Sequence, residues 1–292
     1  MGILVGFLAA TVRIATPLLL AATGELVVER AGVISLAIEG AMLAGALGSA
    51  LGASVGGPQS VWVGVLGGIA AGALVAAVFA AVAIGARSDQ IIAGTALTLA
   101  SVGVTGTVFR RAFGAAGPGL SLPTLGPLWL GQPAPTYVAV LLLPLVWWLL
   151  FRTTWGLQLR ATGESLEAAR AHGVSVGWMQ TTAVLIGGAL AGLGGATLVL
   201  AQVGTFAERM TAGRGFIAIA IVVLGRWHPF GVLTAALLFG GASALQFAFQ
   251  AMGVGLPYQL FLMLPYLLAL AALASGVGRT RAPAGLGRVI ER

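Results

Sequence analysis

The sequence predicts an all-α, polytopic integral membrane protein, a single transmembrane domain over residues 1–292. Three observations predict it. Of 292 residues, 59% are hydrophobic and 8% charged, whereas soluble domains carry about 25% charged residues. So little charge cannot cover a water-facing surface. Apolar runs recur from end to end, and a helix of roughly 20 such residues crosses a bilayer core. Finally, 45 glycines are spread through those runs. Glycine costs about 1 kcal/mol against alanine in a soluble helix, but in membranes small residues let helix backbones approach closely.

The expected spans, in order, are 3–23, 33–55, 60–85, 91–109, 134–151, 177–203, 213–225, 230–251 and 257–277. That is about 8–10 transmembrane helices, one or two of them broken or short. The first has no basic stretch ahead of its apolar run, so it reads as a span and not a cleaved leader. Pro17 interrupts it. The second contains Glu39 inside GVISLAIEGAMLAG. The third places Gly64, Gly68 and Gly72 on one face, and the sixth does the same with Gly188, Gly192 and Ala196. The loop 110–133 is rich in Gly and Pro, which make turns. In the seventh, the apolar run 216–224 lies between Gly215 and Gly225 and barely crosses a bilayer.

Every basic residue is arginine, and the arginines are scattered singly. A nucleic-acid surface would show a dense basic stripe, so no nucleic-acid partner is expected. The arginines instead report topology. The loop 152–176 holds Arg152, Arg160 and Arg170, and the basic tail 278–292 holds Arg279, Arg281, Arg288 and Arg292. Both are expected on the cytoplasmic side. The turns at 87–90 and 226–229 then fall on that side too. The loop 110–133 and the N-terminus fall outside, with Arg110 and Arg111 as exceptions to the bias.

Catalytic constellations are absent from the sequence. There is no cysteine, which excludes disulfides, thiol nucleophiles and cysteine metal sites. His172 and His228 are far apart, and neither has a His-Glu-x-x-His partner. No Gly-x-Ser-x-Gly elbow occurs, and without lysine there is no phosphate-binding loop of the Gly-x4-Gly-Lys type. No catalytic residue, metal site or cofactor is expected on this chain. If ATP drives it, another subunit hydrolyses the ATP.

Two places carry candidate function. An acid inside the membrane is costly and marks a functional site by default, and broken helices tend to flank transported solutes. Glu39 is therefore a candidate contact in a solute path, with Ser35, Thr95, Thr98, Gln202 and Phe216 as candidate lining. Structurally, Glu39 would instead cap the amides of a broken helix or pair with Arg13. The second place is ESLEAARAHG at 164–173. Gly163 and Gly173 bracket it. Glu164 and Glu167 fall in a first helical turn, and Arg170 and His172 in the last, matching the helix dipole. Glu167 and Arg170 are spaced to pair along the helix, and Gly173 suits a left-handed C-cap. So short a helix is marginal alone and carries too little apolar surface to anchor in lipid. It fits a groove on a cytoplasmic partner.

Glu167, Ala168 and Ala169, followed after three residues by Gly173, resemble the core of the EAA loop in permease subunits of ATP-binding-cassette importers. The apolar-x-Leu-Pro part of that signature is missing. This points to the branch for nucleosides, simple sugars and branched-chain amino acids. RIATPLLLAATGELVVERAGVISLAIEGAMLAG (13–45), SDQIIAGTAL (88–97) and GRGFIAIAIVVLGRWHPFG (213–231) resemble the same branch, most of all the nucleoside-import permeases. The resemblance implies a bacterial inner-membrane subunit that pairs with a second, different permease. It implies two cytoplasmic ATPase domains that bind ATP and Mg, and an extracytoplasmic substrate-binding protein. It assigns ATPase coupling to Gly163, Glu164, Glu167, Ala168, Ala169, Arg170 and Gly173. An ion-coupled secondary transporter, with Glu39 as its proton or sodium site, is the alternative from another class.

Overall fold

The structure, a computed structural model, describes residues 2–57, 59–114, 120–251, 263, 267 and 282–287. Among the described residues it holds ten α-helices, and the only β pairing is an isolated bridge between Pro127 and Pro133. The helices are α1 (Gly2–Arg30), α2 (Ile38–Ser54), α3 (Ser60–Ala80), α4 (Gln90–Phe113), α5 (Ala134–Arg152), α6 (Thr154–Glu164), α7 (Leu166–Ala171), α8 (Val176–Thr197), α9 (Arg214–Leu224) and α10 (Pro229–Ala251). Wider π-type turns extend α3 over Ala81–Gly85 and α8 over Leu198–Val203. Six of these helices are long and apolar enough to cross a membrane, and α2 and α9 are shorter. The chain is a multi-pass membrane protein. The expected span 257–277 and the tail arginines lie outside the described residues.

Pro17 does not break α1, contrary to expectation. Proline has no N–H for the carbonyl four residues back, and here the Gln202 side-chain amide donates to the Arg13 carbonyl at 2.6 Å. The helix therefore runs on to Arg30 and carries Glu25 and Glu29 within it. The second span is shorter than its expected range 33–55. Gly32 turns the chain at φ +84°, and residues 33–35 are non-helical before α2 begins. Their amides are satisfied from other helices: Ile34 N–H donates to Gln90 Oε1 at 2.9 Å, and Ser35 N–H to Glu25 Oε1 at 3.1 Å.

α8 is the axis of the packing. In its apolar window 78% of residues are buried, against 28% in α3 and α4. It packs on α1, α2 and α3. The glycine faces read from the sequence meet here: a Cβ on Gly72 would strike the Gly188 carbonyl, and one on Gly68 would meet the Ala196 Cβ at 2.7 Å. Tryptophans Trp62 and Trp129 are exposed toward one end of the bundle, and Trp148 and Trp178 toward the other, as expected of residues at two membrane interfaces.

The arginine-bearing turns converge. Gly285 N–H donates to the Gly163 carbonyl at 2.8 Å, Gly287 N–H to the Gly32 carbonyl at 3.0 Å, and Arg30 to the Trp227 carbonyl. The loop 152–176, the turn at 226–229 and the segment 282–287 thus gather at one end. At the other end Arg13 donates to the Gly131 carbonyl at 3.3 Å, and Arg110 pairs with Glu208 at 2.7 Å.

Candidate functional site

The charged decapeptide lies on a two-helix hairpin. Thr153 Oγ1 accepts from Gly156 N–H at 3.0 Å and starts α6. Ser165 breaks it. Its extended backbone (φ −152°, ψ 111°) cannot continue a helix, and its Oγ accepts from Ala168 N–H at 3.2 Å, which starts α7. Two expectations need correction here. Glu164 is the last residue of α6 and not in the first turn of the next helix. Gly163 is not a bracket; it is buried inside α6, where a Cβ would strike the Arg30 carbonyl and meet Gly32 N at 3.1 Å. Gly173 does take the left-handed conformation, at φ +79°.

Serine capping and burial together decide what α7 shows to solvent. Ala169 is buried, in a cluster with Val28, Ala76, Phe79 and Val176. Glu167, Ala168, Arg170, Ala171 and His172 are exposed. An open hollow of about 380 Å³ separates α6 from α7, lined by Leu157, Gln158, Ala161, Glu164, Ala168 and His172 among others.

Beneath the hairpin is a joint that sequence reading missed. Arg226 (φ +60°) and Trp227 (φ +52°) form a left-handed turn between α9 and α10. Such conformations are strained in bulky residues and persist where contacts over-determine them. The Trp227 carbonyl accepts from Arg30 Nε at 2.9 Å and Nη2 at 2.5 Å, and its indole Nε1–H donates to Glu29 Oε2 at 2.5 Å. The Phe151 ring stacks with both Arg30, 5.7 Å away, and Arg160, at 4.9 Å. The His228 ring lies 5.5 Å from Phe151. Burial first, and then the Arg30 charge, lower the His228 pKa from 6.5. The signal was two acids near the end of a long apolar run and a tryptophan in a turn; ending the first span at residue 23 hid both.

The second site lies where α2 meets α9. Glu39 Oε1 accepts from Thr211 Oγ1 at 2.6 Å and from Gly213 N–H at 2.9 Å, and Oε2 accepts from Gly215 N–H at 2.6 Å. A helix N-terminus leaves N–H groups unsatisfied, and a carboxylate there is favoured by the helix dipole. Glu39 thus caps α9 from a different helix. It does not pair with Arg13, whose guanidinium is held at the opposite end by Gly131, because α1 packs on α8 and α10 and not along α2. Gly215 is required here: a Cβ would lie 2.5 Å from the Glu39 Cα.

Of the other lining candidates, the structure brings some to Glu39 and not others. Ser35 is buried just ahead of α2, and buried Thr98 donates to the Leu36 carbonyl at 2.9 Å. Phe216 follows Gly215 and is 43% exposed. Thr95 sits on the exposed face of α4 and bonds back to the Ile91 carbonyl of its own helix. Gln202 is the residue that repairs the break at Pro17. Among the described residues, no group of three or more His, Asp or Glu is placed to hold a metal ion.

A family described as branched-chain amino acid transport system, permease component, matches residues 7–273. A putative glucose ABC transporter permease protein of Haloferax volcanii is 38% identical over 86% of this chain and 80% of its own length. The guanosine ABC transporter permease protein NupQ of Bacillus subtilis is 34% identical over 95% of this chain and 94% of its own. A nucleoside ABC transporter permease protein of Lactococcus lactis is 32% identical over 92% and 91%. No solved structure matches.

Proposed function

We propose, for a chain that belongs to the branched-chain amino acid transport system permease family and is a membrane-spanning permease subunit of an ATP-binding-cassette importer, that the solute it passes is a nucleoside. The observation that turns the choice away from an amino acid is Glu39, and the relatives named for guanosine and for nucleosides, each matched over more than 90% of both chains, turn it toward a nucleoside. In transporters, a half-helix N-terminus at membrane depth is where an anionic group of the solute binds. Here that position is filled by the protein's own carboxylate, with both oxygens held by Thr211, Gly213 and Gly215. The carboxylate of an amino acid would find those half-helix donors already taken. A nucleoside or a sugar is uncharged. Relatives named for guanosine and for glucose support the same two classes.

The same donors argue against an ion-coupled mechanism, since they occupy three of the roughly four acceptor positions of the Glu39 carboxylate. In this reading the hairpin end is cytoplasmic and the membrane is a bacterial inner membrane. Two ATPase domains, which bind ATP and Mg, dock on the hairpins of this chain and of a second, different permease. A binding protein delivers solute to the other side. The α7 surface of Glu167, Ala168, Arg170 and Gly173 meets the ATPase. Closure of the ATPase pair is then felt at Arg30 and Trp227, because Gly163 and Phe151 link the hairpin to both.

Ligand screening of the cognate binding protein, followed by ATP-driven uptake into proteoliposomes holding the whole complex, tests this. Saturable uptake of guanosine that leucine does not inhibit is the expected result. Leucine uptake with no nucleoside competition would sink the proposal.

A further inference from the structure

Residues 204–213 are non-helical apart from single turns, and they lie at membrane depth. Within the stretch, Glu208 pairs with Arg110, twenty residues along α4 from Gln90 and so about 30 Å up its axis. At its last residue, Gly213 N–H reaches Glu39. From there α9 runs only about 16 Å before it ends, next to the joint between Arg30 and Trp227. The segment therefore descends from one membrane face to about the middle. Backbone of this kind is not tolerated against lipid; it is either buried in protein or lines a water-filled cavity.

The segment has two sides. Phe206, Thr211 and Gly215 are buried, with the Phe206 ring 4.9 Å from Phe109. Ala207, Glu208, Arg209, Ala212 and Phe216 are exposed. The exposed side is also fixed in shape. Successive turns close it, with Met210 N–H on the Ala207 carbonyl at 3.2 Å and Ala212 N–H on the Arg209 carbonyl at 3.0 Å. Arg214 Nη1 ties the Met210 carbonyl at 2.9 Å. Arg209 (φ +59°) and Ala212 (φ +47°) are held left-handed, a strain that gathers at ligand-binding positions. Arg209 has no ion-pair partner among the described residues.

We propose that Arg209, Ala212 and Phe216 form a wall of the solute path, open toward the face that carries Arg110 and Glu208. Resting on the transport reading above, the wall suits a solute with a flat unsaturated ring and oxygen acceptors beside it. Phe216 offers that ring a stacking face, Ala212 leaves space beside it, and the Arg209 N–H groups donate to hydroxyl or carbonyl oxygens.

The absence of native cysteine makes the test clean. Ala212→Cys and Phe216→Cys are introduced singly into the whole complex in proteoliposomes and treated with a charged, membrane-impermeant thiol reagent. Leu99→Cys and Leu141→Cys, on exposed apolar helix faces, are the lipid controls. Both pathway cysteines are expected to react and the controls to stay unmodified. Guanosine at about ten times its Kd, with binding protein present, slows the reaction by about tenfold, since only about one site in eleven is then open. Phe216→Ala raises KM for guanosine uptake with little change in kcat, and Phe216→Tyr restores it. The wall is refuted if the pathway cysteines behave like the lipid controls, if assembly with the second permease alone blocks them, or if guanosine leaves their labelling rate unchanged. Wild-type uptake separates the two ideas. Guanosine uptake with unreactive cysteines refutes the wall alone, whereas absent uptake by the wild-type complex refutes the transport reading.

Discussion

Glu39 shows how one side chain joins two helices. It accepts three hydrogen bonds from the start of α9 while belonging to the first turn of α2. Removing a buried acceptor leaves its donors unsatisfied, at about 1–3 kcal/mol each. Glu39→Ala is therefore expected to lower thermal stability in detergent and to abolish uptake. Glu39→Gln keeps acceptor capacity on one oxygen and should lose about 1–2 kcal/mol, typical of a weakened cap. A Glu39→Ala protein with unchanged melting temperature would contradict the capping role. The acid itself was legible in the sequence because it stands alone in an apolar run. Its partner was not, because Thr211, Gly213 and Gly215 are more than 170 positions away and offer mainly backbone N–H groups. Arg13 was the opposite charge inside the neighbouring expected span, and burial geometry, not charge, decided the pairing. His228 gives a second residue-scale prediction. Its folded pKa lies below the usual 6.5, so the unfolded chain takes up a proton first as pH falls. Its contribution is complete above about 6.5 and is lost as pH drops toward the folded value. The groups around it are Arg30, Phe151 and Phe230. Acidification through that window should lower the melting temperature of the wild type relative to that of His228→Asn, measured side by side.

At the scale of elements, the long helices could be read from apolar periodicity, and the short ones could not be delimited by it. α1, α3, α4, α5, α8 and α10 match their expected ranges closely, apart from the extra turns of α1 up to Arg30. α6 was read as loop because its polar composition carries no membrane signal; its existence rests on the Thr153 cap and on burial of Gly156, Leu159 and Gly163. The hairpin turn depends on Ser165. Ser165→Ala removes the α7 cap at a cost of about 1 kcal/mol. In a six-residue helix, that loss should fray the surface offered to the ATPase. The expected outcome is weaker ATPase co-purification and a lower solute-stimulated ATPase rate, with permease stability almost unchanged. Glu167→Lys places a positive charge near the α7 N-terminus, where the dipole disfavours it, and should release the ATPase more completely. Retention of ATPase by both variants would argue that α7 is not the docking element.

The whole molecule places its two sites at different depths and links them through α1. The bonds of Gly285 to Gly163 and of Gly287 to Gly32 strap the segment 282–287 across the hairpin and the α1–α2 turn. Three glycines meet there: a Cβ on Gly32 would lie 3.1 Å from Gly163 Cα and 3.3 Å from the Gly285 carbonyl oxygen. No spacing rule could have brought them together, since they belong to three separate parts of the chain, and each is individually unremarkable among 45 glycines. Their contact means that hairpin movement must carry the turn ahead of α2, and with it Glu39 and the start of α9. A Cβ on Gly285 would lie 2.9 Å from the Gly163 carbonyl oxygen, closer than packed atoms tolerate. Gly285→Val should therefore lift the strap while the spans, whose packing rests on α8, stay assembled. The expected result is a complex that still binds its ATPase and hydrolyses ATP but moves less solute per ATP. The comparison to make is between ATPase rate and uptake in the same proteoliposomes. An unchanged ratio, whether both rates hold or fall together, would mean that the strap only holds the hairpin in place and lies outside the path between ATP and solute.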